Sequence, residues 1–155
     1  MSEPAFDELL RRLAAADVKF VVVGGLAVNA WGVVRGTKDV DVVIATEIEN
    51  LERVADVAVA AGGRVQRGEA LLGSPHSIAS ALASGEQVAI ETDLGRLDVV
   101  QGLDGVPSFE ELRSRATEAE ILGTEVWVCS RDDLTAMKRA AGRTRDLADL
   151  EAAAG

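Results

Sequence analysis

Asp39 and Asp41 stand two apart in the run Asp39-Val-Asp-Val-Val-Ile44, whose alternation reads as a β-strand. A period of two places both carboxylates on one face, about 7 Å apart along the chain, with Val40, Val42 and Ile44 turned the other way. Like charges so placed repel, and a hard divalent cation with oxygen ligands is a natural counter-charge. The alternative is an exposed strand end carrying two unrelated acids. Asp98 shifts the balance, because it interrupts a second apolar run, Arg96-Leu-Asp-Val-Val100, between core-type Leu97 and Val99. Three strand carboxylates make a platform on which two Mg²⁺ ions can orient a nucleoside triphosphate while Asp98 bridges or deprotonates an attacking hydroxyl. Asp93 competes for the third place, but its setting in Thr92-Asp-Leu-Gly95 suits a turn.

A second signal is Gly24-Gly25, which follows the apolar run Val18-Lys-Phe-Val-Val-Val23. Two residues without side chains let backbone amides at a helix start approach phosphate closely, although a plain tight turn accounts for the same pair. The Gly-x-Gly-x-x-Gly fingerprint and the P-loop are both absent, so neither of those nucleotide-binding folds is supported.

The elements that must carry these residues are legible in most of the chain. Residues 4–16 place Phe6, Leu9, Leu10 and Leu13 at helical spacing with Pro4 in the first turn. Val18–Val23 is a β-branched strand suited to cover on both faces, followed by a glycine turn and a short helix ending at Gly32. The strand 39–44 leads into a helix over 47–61 closed by Gly62-Gly63. Residues 64–86, broken by Gly68, Gly73, Pro75 and Gly85, predict loops with one strand and one short helix. Val88–Glu91 and Arg96–Gln101 predict a hairpin, Ser108–Ala116 a short helix, Glu125–Cys129 a strand, and Ser130–Leu150 a helical region that Gly142 can split. Ser130 with Asp132 and Asp133 forms a good helix start. Helices alternating with strands around a hairpin predict an α/β or α+β domain with a mixed sheet.

Composition narrows the partners. The 155 residues are 48% hydrophobic, which predicts one domain over 1–155 with a substantial core. Sixteen Lys plus Arg against 26 Asp plus Glu give a formal charge of −10, a surface that repels polyphosphate unless a metal or a local basic cluster intervenes. Cys129 alone forms no intrachain disulfide, and with the lone His76, read as a loop residue, it makes a poor zinc set. An acidic N-terminus and an apolar stretch, Phe20 to Trp31, too short to span a bilayer predict a cytoplasmic protein without a membrane segment. No Tyr, three Phe and two Trp leave few platforms for base stacking, and Trp31 and Trp127 suit the core better.

Taken together, Val23-Gly-Gly25, a 13-residue spacer, Asp39-Val-Asp41 and the later Leu97-Asp-Val99 resemble the nucleotidyltransferase superfamily typified by DNA polymerase beta. The fuller run GGLAVNAWGVVRGTKDVDVVI and the C-terminal DLTAMKRAAGRTRDLADL resemble its bacterial stand-alone branch, including AbiEii-like toxins. The resemblance implies a mixed sheet flanked by helices, with Asp39, Asp41 and Asp98 as metal carboxylates and Gly24 and Gly25 at the triphosphate. Many members carry Ser where Gly25 stands, so only backbone donors remain here. Lys138 lies on a helical stripe with Leu134, Ala141 and Arg145, and Arg143 on the adjacent one with Arg139; Lys138 and Arg143 are expected near the nucleotide. The alternative is a solvated cationic helix pairing with Asp146 and Asp149. Arg35, with Lys38 in the same loop, is favoured for a phosphate contact.

The implied activity is Mg²⁺-dependent transfer of a nucleoside monophosphate from an NTP to a hydroxyl of tRNA, protein or a small molecule. A toxin–antitoxin setting, with a cognate toxin or antitoxin as partner, comes with the resemblance. The competing expectation is a catalytically inactive protein of the same fold acting as a binding partner or regulator; a metal-dependent phosphatase or nuclease leaves the glycine turn unexplained.

Overall fold

The helix expected at the start forms as α1 (Phe6–Ala15) and buries all four of its periodic residues, Phe6, Leu9, Leu10 and Leu13. The computed structural model describes residues 4–31 and 37–141. After α1 come β1 (Phe20–Val23), α2 (Gly24–Ala30), β2 (Asp39–Ile44), α3 (Ile48–Ala60), β3 (Val65–Arg67), β4 (Ala70–Leu72) and α4 (Pro75–Ala83). The chain continues through β5 (Val88–Thr92), β6 (Gly95–Val99), α5 (Phe109–Arg115), β7 (Thr117–Ile121), β8 (Thr124–Val128) and α6 (Arg131–Ala141). The fold is a mixed α/β arrangement of helices around a six-stranded sheet in the order β5-β6-β2-β1-β8-β7, with β3 and β4 as a separate hairpin. Among the described residues no helix is long and apolar enough to cross a membrane.

The sheet explains why β1 reads as continuously apolar. It is central, antiparallel to β2 and parallel to β8, and every residue from Phe20 to Val23 is buried. β2 in turn runs parallel to β6 in a register that sets Asp41 opposite Asp98 and Asp39 opposite Arg96. Each strand of this central trio owes its position to burial of Val and Leu side chains such as Val22, Val40 and Leu97, each removed from solvent and contributing about 1.5–3 kcal/mol.

Where the chain must turn back on itself, polar groups fix the joint. Asn50, buried at the start of α3, accepts from Lys19 N–H at 2.7 Å and donates to Lys19 O at 3.1 Å and Ala45 O at 2.8 Å, closing the β1 entry against the β2 exit. At α5 the Ser108 hydroxyl and the Glu111 carboxylate form a capping box, and Ser130 caps α6 by accepting from Asp133 N–H at 3.0 Å.

Three features depart from the sequence expectations. The middle segment holds the expected short helix, capped by Ser74 and started by Pro75, but two strands paired as a hairpin in place of one. That helix takes in His76, read as a loop residue, which is exposed on its first turn. β7, absent from the sequence reading, forms the far edge of the sheet by antiparallel pairing with β8. The helical region expected over 130–150 is described as far as Ala141.

Candidate functional site

The two hydrogen-bonded neighbours β2 and β6 present a common face on which Asp39, Asp41 and Asp98 converge. One carboxylate oxygen from each lies within 4.8 Å of the others. The convergence follows from two facts of register: Asp39 and Asp41 differ by one full strand period, and Asp41 and Asp98 are directly paired across the parallel ladder. Asp98 is 8% exposed while Asp39 and Asp41 are half-buried, so the trio forms the floor of a cleft rather than a solvated surface patch. Asp93 stands outside this group, exposed in the β5–β6 turn.

Gly24 and Gly25 lie at the end of β1, beside the trio, and both make room for the protein's own side chains. Gly24 has φ +67°, a left-handed backbone, and a Cβ built there collides with the Asp41 carboxylate, whose Cγ would be 2.8 Å away. A Cβ at Gly25 would meet the Thr37 hydroxyl at 2.8 Å, and that hydroxyl donates to Asp39 O at 2.9 Å. The doublet is therefore required by the placement of Asp41 and of the strand entry.

Above the trio lies a cavity of about 390 Å³ that reaches from Val23, Gly24 and the three carboxylates to α6. Its second wall comes from the loop after β6, with Val100, Leu103, Asp104 and Val106, and from Leu134, Met137 and Lys138 on α6. A Cβ at Gly105 would overlap Ala140, so the loop packs closely on the helix. α6 itself is anchored by a bidentate ion pair in which Arg115 Nε and Nη2 donate to Asp133 at 2.8 and 3.0 Å. Hydrogen bonding to Asp133 raises the Arg115 pKa above its already high ordinary value.

Of the expected site residues, Asp39, Asp41, Asp98, Gly24 and Lys138 line this one cavity, and Gly25 lies next to it in sequence. Arg35 and Arg143 lie outside the described residues. Lys38 is exposed beside β2, and Trp31 and Trp127 pack against the core. Trp31 Nε1 donates to Cys129 O at 3.2 Å, and the Arg113 guanidinium stacks 3.3 Å from the Trp127 ring centre.

Two polar neighbours of the trio carried no signal in the sequence. Gln87 Nε2 donates to both oxygens of Asp98, at 3.0 and 3.1 Å. Arg96, paired across the ladder with Asp39, lies 3.9 Å from its Oδ1 and 3.8 Å from Glu91 Oε1. The β5–β6 hairpin register supplies the missing signal, since it sets Ala89 opposite Asp98 and so puts Gln87 and Glu91 on the same face.

The donor set suits a hard divalent cation: three carboxylates, all oxygen, convergent and without sulfur or imidazole. Mg²⁺ characteristically takes only one or two protein carboxylates and completes its shell with water and substrate phosphate, which an open cleft permits.

An Asp-x-Asp strand beside a glycine helix start, with a third Asp on the parallel neighbour, defines the class of nucleotidyltransferase folds. The chain belongs to the family described as "Nucleotidyl transferase of unknown function (DUF2204)", whose model matches residues 3–154, and it is an enzyme of this type. Among solved structures it is similar to the crystal structure of ANT(2″)-Ia in complex with adenylyl-2″-tobramycin, at 16% identity and TM-score 0.61, covering 97% of this chain and 87% of that one. It is also similar to the solution structure of the antibiotic-resistance factor ANT(2″)-Ia, at 19% identity and TM-score 0.60, covering 96% and 82%. Among curated proteins none matches the chain significantly.

Proposed function

We propose that this chain, acting as a single catalytic domain, transfers a nucleoside monophosphate from an NTP to an acceptor hydroxyl, with Asp39, Asp41 and Asp98 holding two Mg²⁺ ions. The observation that carries this is the meeting of three carboxylates from two strands within 4.8 Å of one another. Bound Mg²⁺ neutralises the triphosphate and polarises the phosphoryl group under attack. Asp98, on its own strand apart from the Asp39–Asp41 pair, takes the proton of the acceptor hydroxyl on a carboxylate oxygen. The acceptor oxygen forms its bond to the α-phosphorus as the α–β bridging bond breaks, and pyrophosphate leaves. Lys138, across the cavity, and the backbone at Gly24 and Gly25 face the phosphates, with Arg35 and Arg143 as further phosphate ligands.

Among tRNA, protein and small-molecule acceptors, the cavity favours a small molecule. A fourth carboxylate, Asp104, lines the cavity beside apolar Leu103, Val106 and Met137, and the whole chain carries −10, a combination that selects a cationic hydroxyl compound over a polyanion. ANT(2″)-Ia, crystallised with adenylyl-2″-tobramycin, shows the same fold holding a nucleotidylated small molecule. A tRNA acceptor would need a basic groove from a partner chain; a cognate toxin or antitoxin is the partner the resemblance implies. The lone Cys129, buried and unpaired with another cysteine, fits a reducing cytoplasm. Retention of all three repelling carboxylates in one cleft counts against a catalytically inactive role.

The test is incubation of the protein with each α-labelled NTP and Mg²⁺, with total tRNA, cell-lysate protein or a panel of polyamine and amino-sugar hydroxyl compounds, alongside Asp41→Ala. The expected result is label transfer to an acceptor and pyrophosphate release, both lost in Asp41→Ala. Absence of transfer together with absence of Mg²⁺-dependent NTP binding would overturn the proposal.

A further inference from the structure

We infer that Gln87 is a positioning residue for the metal trio: its side-chain amide fixes the Asp98 carboxylate in the orientation in which it shares a cation with Asp39 and Asp41. The inference rests on the metal-trio reading above. A carboxylate at the end of an aspartate side chain turns in a broad, roughly two-fold torsional well, so strand register places Asp98 but does not orient it. Repulsion from Asp41, directly across the ladder, and from Asp39 drives it to splay. Gln87 Nε2 opposes both tendencies because it donates to both oxygens, 3.0 Å from Oδ1 and 3.1 Å from Oδ2, and the two N–H groups of one amide lie in a single plane, so the carboxylate is held against splaying and turns with that plane.

The sheet makes this contact available. Ala89, directly opposite Asp98, carries nothing beyond Cβ, which leaves the space over it to the longer side chain one strand period away. The nitrogen end of the amide faces Asp98 because an ionised carboxylate only accepts. Each oxygen keeps a lone pair for a cation after accepting from Gln87.

The chemistry of the partner matters as much as its position. Asp133, a structural carboxylate in the same chain, is held by the charged fork of Arg115 at 2.8 and 3.0 Å. A guanidinium on Asp98 would supply the positive charge that a metal ion is meant to supply. An amide orients the carboxylate and leaves its charge intact, the requirement for a ligand that must be ordered before its ion arrives.

The experiment is Mn²⁺ titration of the full chain followed by electron paramagnetic resonance, with Mn²⁺ alone as the probe, for the wild type, Gln87→Met, Gln87→Ala and Asp98→Asn. Gln87→Met keeps the unbranched bulk of the side chain and removes the donor, so it separates hydrogen bonding from packing; circular dichroism confirms that each variant is folded. Both Gln87 variants are expected to raise the Mn²⁺ dissociation constant roughly tenfold or more, the usual effect of removing an outer-sphere partner, and Asp98→Asn to raise it further. Wild-type affinity in Gln87→Met with weakened binding in Asp98→Asn overturns the role of Gln87 alone. Wild-type affinity in Asp98→Asn overturns the metal trio itself, and the role of Gln87 with it.

Discussion

Gly24→Ala is the substitution by which the structure links stability to the site most directly. Two costs act at that position. Its φ of +67° costs a residue with a Cβ about 1–2 kcal/mol, and the new methyl overlaps the Asp41 carboxylate, a steric insertion of the kind that costs about 1–3 kcal/mol. The sum is about 3 kcal/mol, which lowers Tm by roughly 6–12 °C in a chain of this size. The two parts separate in a double-mutant cycle with Asp41→Gly, because the new methyl would meet the Asp41 Cβ at 2.8 Å as well as the carboxylate, and removing the whole side chain removes both overlaps and leaves the backbone cost. In the Asp41→Gly background Gly24→Ala is therefore expected to cost only about 1–2 kcal/mol, a coupling of about 1 kcal/mol or more between the positions. Urea unfolding of the four proteins, monitored by circular dichroism, measures it. Additive effects, with coupling below about 0.3 kcal/mol, would show that Gly24 does not make room for Asp41.

Two further outcomes follow from buried groups away from the cleft. Asn50→Ala leaves Lys19 N–H, Lys19 O and Ala45 O without their partner and is expected to cost about 2–4 kcal/mol, read as a lowered urea midpoint at unchanged slope. Burial, reinforced by the nearby Asp133 charge, pushes the Cys129 thiol up to about 12 from 9.0. The stability this protonated thiol contributes is fully present below pH 9, where folded and unfolded chains both hold the proton. It then falls by up to about 1.4 kcal/mol per pH unit as the unfolded chain alone ionises. Wild type is accordingly expected to lose more stability than Cys129→Ala between pH 8.5 and 10.5 in parallel urea titrations, and its native thiol to resist Ellman's reagent at pH 8; equal losses would refute the shift.

Much of the architecture was legible because burial imposes periodicity. α1 declares itself through four apolar side chains at helical spacing that enter the core, and β1 through a run in which every side chain does. β7 was invisible for the converse reason: at the sheet edge only Ile121 of Thr-Glu-Ala-Glu-Ile is buried, so no apolar pattern marks it. Its turn is also disguised, since Leu122 takes φ +51° before Gly123 at +91°, positions where Asn-Gly would have signalled a hairpin. In the cleft, the residues legible from sequence were those whose type is costly where it stands, namely acids within apolar strands. Gln87 and Arg96 were not, because each is unremarkable in sequence and gains its meaning only from the pairing of β5 with β6 and of β6 with β2. The glycine doublet was legible as a feature but not in its cause, which lies in Asp41 and Thr37 across the turn.

The two walls of the cleft differ in construction. The carboxylates stand on adjacent strands locked by ladder hydrogen bonds, whereas the facing wall is a loop over residues 100–106 and one side of α6. Changes to Leu103, Asp104 or Met137 alter what the cavity admits without disturbing the register that aligns Asp41 with Asp98. Under the proposed function, substitutions at Leu103, Asp104 and Met137 are expected to retune the choice of acceptor while the three carboxylates stay in place, so the scaffold separates the residues assigned to metal binding from most of those that meet the acceptor.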